Sequence, residues 1–248
     1  MSAAVTPGGG RALQAFGLPP EQIMPLSLDR LRARSPVELP PDPAATVMLR
    51  MAYAAGDPDL LRDLVAPPDA VEATVAALAR GAAIVCDVAM VAAGVRSLAT
   101  RTGSPVLCAQ DAAAGAPAGS DDTIIRLAES VDTTAPISPQ SRSAVAASTR
   151  TAQGLVALAG HWQGAVIVIG NAPTALLALL DALADGAPRP AALIATPCGL
   201  VAAEEAKQLL LDTAPCPAIT VRGTRGGSAV AAAAVNACSL LALAAAHA

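Results

Sequence analysis

The chain has very few rings. One Phe, one Tyr and one Trp (Phe16, Tyr53, Trp162) leave aromatics at 1% of 248 residues, which excludes the aromatic platforms on which single-stranded nucleic acids stack. Positive charge is also scarce: 16 Lys and Arg stand against 20 Asp and Glu, a net charge of -4. No basic field is present to attract nucleic acid or an anionic lipid surface. Histidine occurs only at His161 and His247, and the five cysteines (Cys86, Cys108, Cys198, Cys216, Cys238) form no C-x-x-C pair. A metal centre is therefore not expected, and the thiols read as reduced, mostly buried groups of a cytoplasmic protein. Between Met1 and Leu13 no continuous apolar run marks a signal peptide.

Small apolar residues are what the chain has in excess. It is 54% hydrophobic, with roughly a quarter of its residues Ala, far above ordinary usage. From Gly226 to Ala246 there is no charge, over about the length of a bilayer span. Ala contributes little to insertion and Asn236 interrupts the run, so the stretch reads as a buried terminal helix and no membrane is expected.

Residues 1–43 are rich in Pro and Gly and read as an N-terminal arm with one short helix near Leu26–Ala33. Residues 44–248 read as one domain. Helical patterns run from Ala44 to Ala55, closed by Gly56, and from Asp69 to Arg80, closed by Gly81. Five short apolar runs alternate with helical segments: Ala82–Cys86, Val106–Ala109, Ala165–Ile169, Ala191–Thr196 and Ala218–Arg222. Nearly continuous apolar strands separated by helices suit a parallel sheet covered on both faces. The expected fold is a three-layer α/β/α domain with a mainly parallel five-stranded sheet. An inserted loop is expected near 111–148, with a helix resuming near Ser143–Leu158.

Ligands of such sheets bind beyond the carboxyl ends of the strands, so the following turns hold the candidate chemistry. In Gly170-Asn171-Ala172-Pro173-Thr174, Pro173 starts a helix, and Asn171 and Thr174 stand beside backbone N–H groups. The turn is either an anion site or a plain capped turn. In Arg222-Gly223-Thr224-Arg225-Gly226-Gly227-Ser228, glycines admit a ligand close to the backbone and Arg225 can grip a carboxylate. This is a second anion site or a structural turn. It matches neither a Walker A loop nor a G-x-G-x-x-G fingerprint, which argues against a nucleotide-binding Rossmann protein. Glu205 and Lys207 read by themselves as solvated helix charges, and Asp87 reads as a helix cap.

Taken in order, these turns resemble the precorrin-8X methylmutase family of cobalamin biosynthesis. Gly170-Asn171-Ala172-Pro173-Thr174-Ala175-Leu176 is similar to its most distinctive motif. Gly199–Lys207 resembles the family's Gly-Phe-Val-Gly-Ala-Ala-Glu-Ser-Lys. Gly226-Gly227-Ser228 with Asn236, Cys86-Asp87-Val88-Ala89-Met90 and Thr149-Arg150-Thr151 match further family segments, and Ser27 matches its N-terminal binding serine. The likeness covers roughly residues 20–242. It implies an α/β homodimer that moves a methyl group from C-11 to C-12 of a corrinoid, precorrin-8X, giving hydrogenobyrinate with no cofactor. It implies substrate contacts at Ser27, Arg50, Asp87, Met90, Arg150, Thr151, Asn171, Thr174, Lys207, Arg225, Gly226, Gly227 and Ser228.

The chain departs from the family at the acid. The family's Arg-x-x-His is Arg50-Met51-Ala52-Tyr53 here, so the catalytic position falls on Tyr53, a phenol in place of an imidazole. Thr224 stands where the family usually has Arg, with Arg225 one residue later. Ala89 and Leu26 stand where some members have Glu and Arg. The alternative reading is a corrinoid-binding relative that has lost the general acid.

Overall fold

Alternate residues of each apolar run point to opposite faces of one sheet, and helices cover both. The computed structural model describes residues 17–113 and 148–246. Strands β1 (Leu64–Val65), β2 (Ile84–Cys86), β3 (Val106–Cys108), β4 (Val166–Ile169), β5 (Ala192–Ala195) and β6 (Ala218–Val221) are ordered β1-β6-β5-β4-β2-β3. All neighbours run parallel except β1 and β6. Among the described residues six strands form where the sequence predicts five. Leu64–Val65 is too short to show any period, and it is a strand because Val221 and Thr220 pair with it from the other end of the chain.

Among the described residues the helices are α1 (Pro20–Ala33), α2 (Ala44–Ala55), α3 (Pro68–Ala79), α4 (Ala89–Thr102), α5 (Ala109–Ala113), α6 (Arg150–Ala157), α7 (Pro173–Ala184), α8 (Ala203–Thr213) and α9 (Ser228–Ala245). Helix α1 starts six residues before the predicted Leu26. Pro20 takes its first position, where a missing N–H costs nothing, and buried Leu31 ties it to the core. Helix α6 begins only at Arg150, capped by the Thr149 hydroxyl, which accepts from the Ala152 amide. Residues 114–147, the bulk of the expected insertion, lie outside the described residues, as do residues 1–16 and His247.

One face of the sheet, with Ile84, Cys86, Val166, Val168, Ile194 and Ile219, packs on α2, α3, α4 and α9. The other, with Val85, Leu107, Ile167, Ile169 and Leu193, packs on α5, α6, α7 and α8 and buries Trp162 completely. Each buried Val, Ile or Leu contributes about 1.5–3 kcal/mol. The charge-free helix α9 is long and apolar enough to cross a membrane. Here it is the central helix of its layer, packed on α2, α3 and α4, with Val230, Ala234, Val235 and Cys238 inside. The Asn236 amide donates to the Gly94 carbonyl at 2.9 Å and cross-links α9 to α4.

Candidate active site

Strand order reverses between β2 and β4, since β3 lies on one side of this pair and β5 and β6 on the other. The crevice at the carboxyl ends of a parallel sheet opens at such a point. Around it gather the turns β2–α4 (Asp87, Val88), β4–α7 (Gly170–Ala172), β5–α8 (Thr196–Ala202) and β6–α9 (Arg222–Gly227).

Asp87 is fully buried, and its carboxylate accepts from the amides of Gly170 (3.0 Å), Asn171 (2.8 Å) and Ala172 (2.9 Å). It does not cap the helix it precedes. That position is served by Gln110, whose Oε1 accepts from the Ala89 amide at 3.0 Å. The three N–H groups that looked open to a ligand anion are therefore already bound to the chain's own carboxylate. Burial pushes the Asp87 carboxyl above its usual range, while the amide bonds from Gly170, Ala172, Asn171 and Val88 pull it back.

Glycine lets the turns touch. A Cβ on Gly170 would lie 2.6 Å from Val91 Cγ2 and 2.9 Å from Ser228 Cα, so this residue allows the first turn of α9 to reach the end of β4. Gly226, at φ 144°, would clash with the Thr196 carbonyl at 2.3 Å if it carried a Cβ. Thr196 also holds the next residue: its carbonyl accepts from the Gly227 amide at 2.7 Å, and its hydroxyl donates to the Gly227 carbonyl at 3.2 Å.

The second expected anion grip is also occupied from within. Arg225 Nη1 pairs with Asp57, and Nη2 pairs with Asp63 and donates to the Asp59 carbonyl at 3.1 Å. The partners follow directly on α2, so the carboxyl end of that helix is tied to the Gly-rich turn. Lys207, which by itself reads as a solvated charge and by the resemblance as a substrate contact, is fully buried and donates to the Arg225 carbonyl at 2.7 Å. Burial draws its ammonium down to about 8 despite the opposing charges of Cys198, Glu204 and Asp63.

A sequence model of the precorrin-8X methylmutase family matches residues 22–147 and 136–241. The chain belongs to the precorrin-8X methylmutase family. Membership makes it an isomerase of cobalamin biosynthesis. A precorrin-8X methylmutase of Pseudomonas aeruginosa is 41% identical over 212 residues, 85% of this chain and 90% of that one. One from Sinorhizobium sp is 36% identical over 207 residues, 83% of this chain and 87% of its own length. The crystal structure of a precorrin-8X methylmutase from Thermus thermophilus superposes with a TM-score of 0.69 at 28% identity, over 90% of this chain and 98% of that one.

Within this methylmutase fold, Tyr53 sits half-buried in the last turn of α2, four residues before Asp57 and thus beside the end that Arg225 clamps. Arg50, one turn earlier on α2, is also half-buried. Arg150 and Thr151 open α6, and Thr149 and Thr174 share a hydroxyl hydrogen bond of 2.8 Å that joins this end to the Asn171 turn. Asn171 and Arg150 are exposed, whereas Ser228 is 8% exposed. Large apolar side chains stand out on the same rim: Met90 is 72% exposed, Leu200 91% and Val201 83%. Ser27 lies on α1 and spends its hydroxyl on the Ile23 carbonyl at 2.6 Å, and among the described residues no hydrogen bond joins it to the turns. His161 is in a 3₁₀ turn ahead of β4, at the opposite end of the sheet. No cluster of three His, Cys, Asp or Glu fit for a metal occurs among the described residues.

Asp57, Asp63, Thr196 and Gln110 are the residues that sequence reasoning missed. Each acts through a partner distant in the chain, and their local surroundings carry no signal of it.

Proposed function

We propose that this protein moves a methyl group from C-11 to C-12 of the precorrin-8X macrocycle and releases hydrogenobyrinate, working as a cytoplasmic homodimer with the corrinoid near the subunit interface. The carbon–carbon bond at C-11 breaks as the bond at C-12 forms, so no atom is lost and no cofactor is consumed. The protein's share is to orient the ring and supply one acid. The observation that carries this reading is the Asp57–Arg225 clamp, which brings the Tyr53 end of α2 against the Gly226-Gly227-Ser228 turn.

In this scheme the Tyr53 hydroxyl donates to the macrocycle as the methyl group migrates. Side-chain donors of Arg50, Arg150, Thr151, Asn171, Thr174 and Ser228 receive the peripheral carboxylates, and Met90 meets the apolar face of the ring. Asp87 and Arg225 contribute from behind, by shaping the turns with groups already paired inside the chain.

The test is a visible absorption time course after mixing with precorrin-8X, since the shift alters ring conjugation. Conversion to the hydrogenobyrinate spectrum over many turnovers supports the proposal. A shifted spectrum that stays constant assigns the chain to binding without turnover, and an unchanged spectrum removes the corrinoid reading.

A further inference from the structure

We propose that Lys207 is a positioning residue, which holds the Gly226-Gly227-Ser228 turn in its ligand-accepting shape without itself touching the corrinoid. The inference rests on the reading of that turn as part of the corrinoid site.

Consecutive glycines have little conformational preference of their own. Gly226 and Gly227 stand at φ 144° and 114°, a region that no local propensity selects. Something outside the turn must hold it. The ties come from three directions. From β5 and its following loop, Thr196 binds both the amide and the carbonyl of Gly227, and the Gly199 amide donates to the Thr224 carbonyl at 3.0 Å. From the segment after α2, Asp57 and Asp63 hold the Arg225 guanidinium. From α8, Lys207 holds the Arg225 carbonyl. Arg225 is therefore fixed by its side chain on one flank and by its backbone on the other, immediately before the two glycines.

Lys207 suits this task and not direct catalysis. It has no exposed surface through which to meet a substrate. A buried ammonium is tolerated only where it is paired or hydrogen-bonded, and its donor points at a main-chain carbonyl, the group whose position defines the turn. Losing a hydrogen bond to a charged group weakens an equilibrium roughly ten- to a hundredfold. That loss should fall on the ordered state of the turn.

The experiment uses the full-length wild type, Lys207→Met and Lys207→Gln, with amide hydrogen exchange measured without any corrinoid and steady-state kinetics on precorrin-8X. In Lys207→Met the Gly227 amide should exchange at least about tenfold faster, while the Gly170 and Ala172 amides, held by Asp87, keep their protection. KM should rise about tenfold with kcat within about threefold, the pattern of lost uniform binding. Lys207→Gln keeps a neutral donor and should recover part of both losses. Unchanged exchange at Gly227 in both variants would overturn the proposal. So would a kcat loss of about a hundredfold at constant KM, since that is the mark of a group acting in the transition state. Should Lys207→Met not fold, the same two readouts on Lys207→Gln decide the matter. Exchange is read without ligand, so a wild type inert toward precorrin-8X overturns the functional reading and leaves the positioning result standing.

Discussion

The Asp87 carboxylate receives the Asn171 amide at 2.8 Å across 84 positions of chain, and the same oxygen receives the Ala172 amide at 2.9 Å. The start of α7 is thereby neutralised from inside the protein, and its shape depends on one buried acid. Asp87→Asn keeps the outline of the side chain but turns one acceptor into a donor that faces backbone donors. At least one buried N–H is left without a partner, a loss of about 1–3 kcal/mol. The urea midpoint should fall accordingly, and corrinoid affinity should fall with it in a spectroscopic titration.

Tyr53 occupies the position to which the family resemblance assigns the catalytic imidazole. If its hydroxyl is the acid, Tyr53→Phe should lower kcat by roughly 100- to 10,000-fold and leave corrinoid binding nearly unchanged. Tyr53→His should turn over and add an ionisation that the wild type lacks: its rate should fall as pH rises through about 6.5, where imidazolium loses its proton. A pH–rate profile of the two proteins checks both statements. A Tyr53→Phe variant with full activity would remove the phenol from the chemistry.

Ala202 holds a left-handed backbone at φ 61° just before α8. A residue with a Cβ loses roughly 1–2 kcal/mol in that conformation, and glycine does not. Ala202→Gly should therefore raise stability by about 0.5–1 kcal/mol after the added freedom of the unfolded chain is subtracted. The gain should appear as a higher urea midpoint with an unchanged slope.

Lys207 has a depressed pKa of about 8 in the folded protein, against 10.5 for the free side chain, because burial outweighs the nearby charges of Cys198, Glu204 and Asp63. Between these values the unfolded chain holds a proton that the folded chain has released, so unfolding takes up a proton and stability rises with pH. The wild type should gain melting temperature relative to Lys207→Met from pH 8 to pH 10, and the difference should be flat below pH 7. Calorimetry of the pair would show a gap that narrows with rising pH if the sign were the reverse.

Elements with a strong local signal were legible in the chain. Apolar runs gave five of the strands, and Gly56 closes α2 at the position where the pattern stops. The motif turns were found at the strand ends where a ligand belongs. What local chemistry could not reveal was occupancy. Free amides before α7 and an arginine beside two glycines look like empty anion sites until Asp87, Asp57 and Asp63 arrive from distant parts of the chain. Lys207 carries the sequence pattern of an exposed helical charge, and only the packing of α8 against the Gly-rich turn buries it. The strand Leu64–Val65 likewise exists because β6 is there to pair with it.

The Asp57–Arg225 clamp joins positions 168 residues apart, which sets an order of events at the ribosome. At ordinary elongation speeds the first half of the site waits on the order of ten seconds for its second half. Through that interval Val47, Met48 and Met51 of α2 have no α9 to cover them. A nascent chain arrested before residue 228 would carry an uncovered apolar face, a natural target for holding chaperones, and release of the last helix would be the step that makes the crevice and shields the core together.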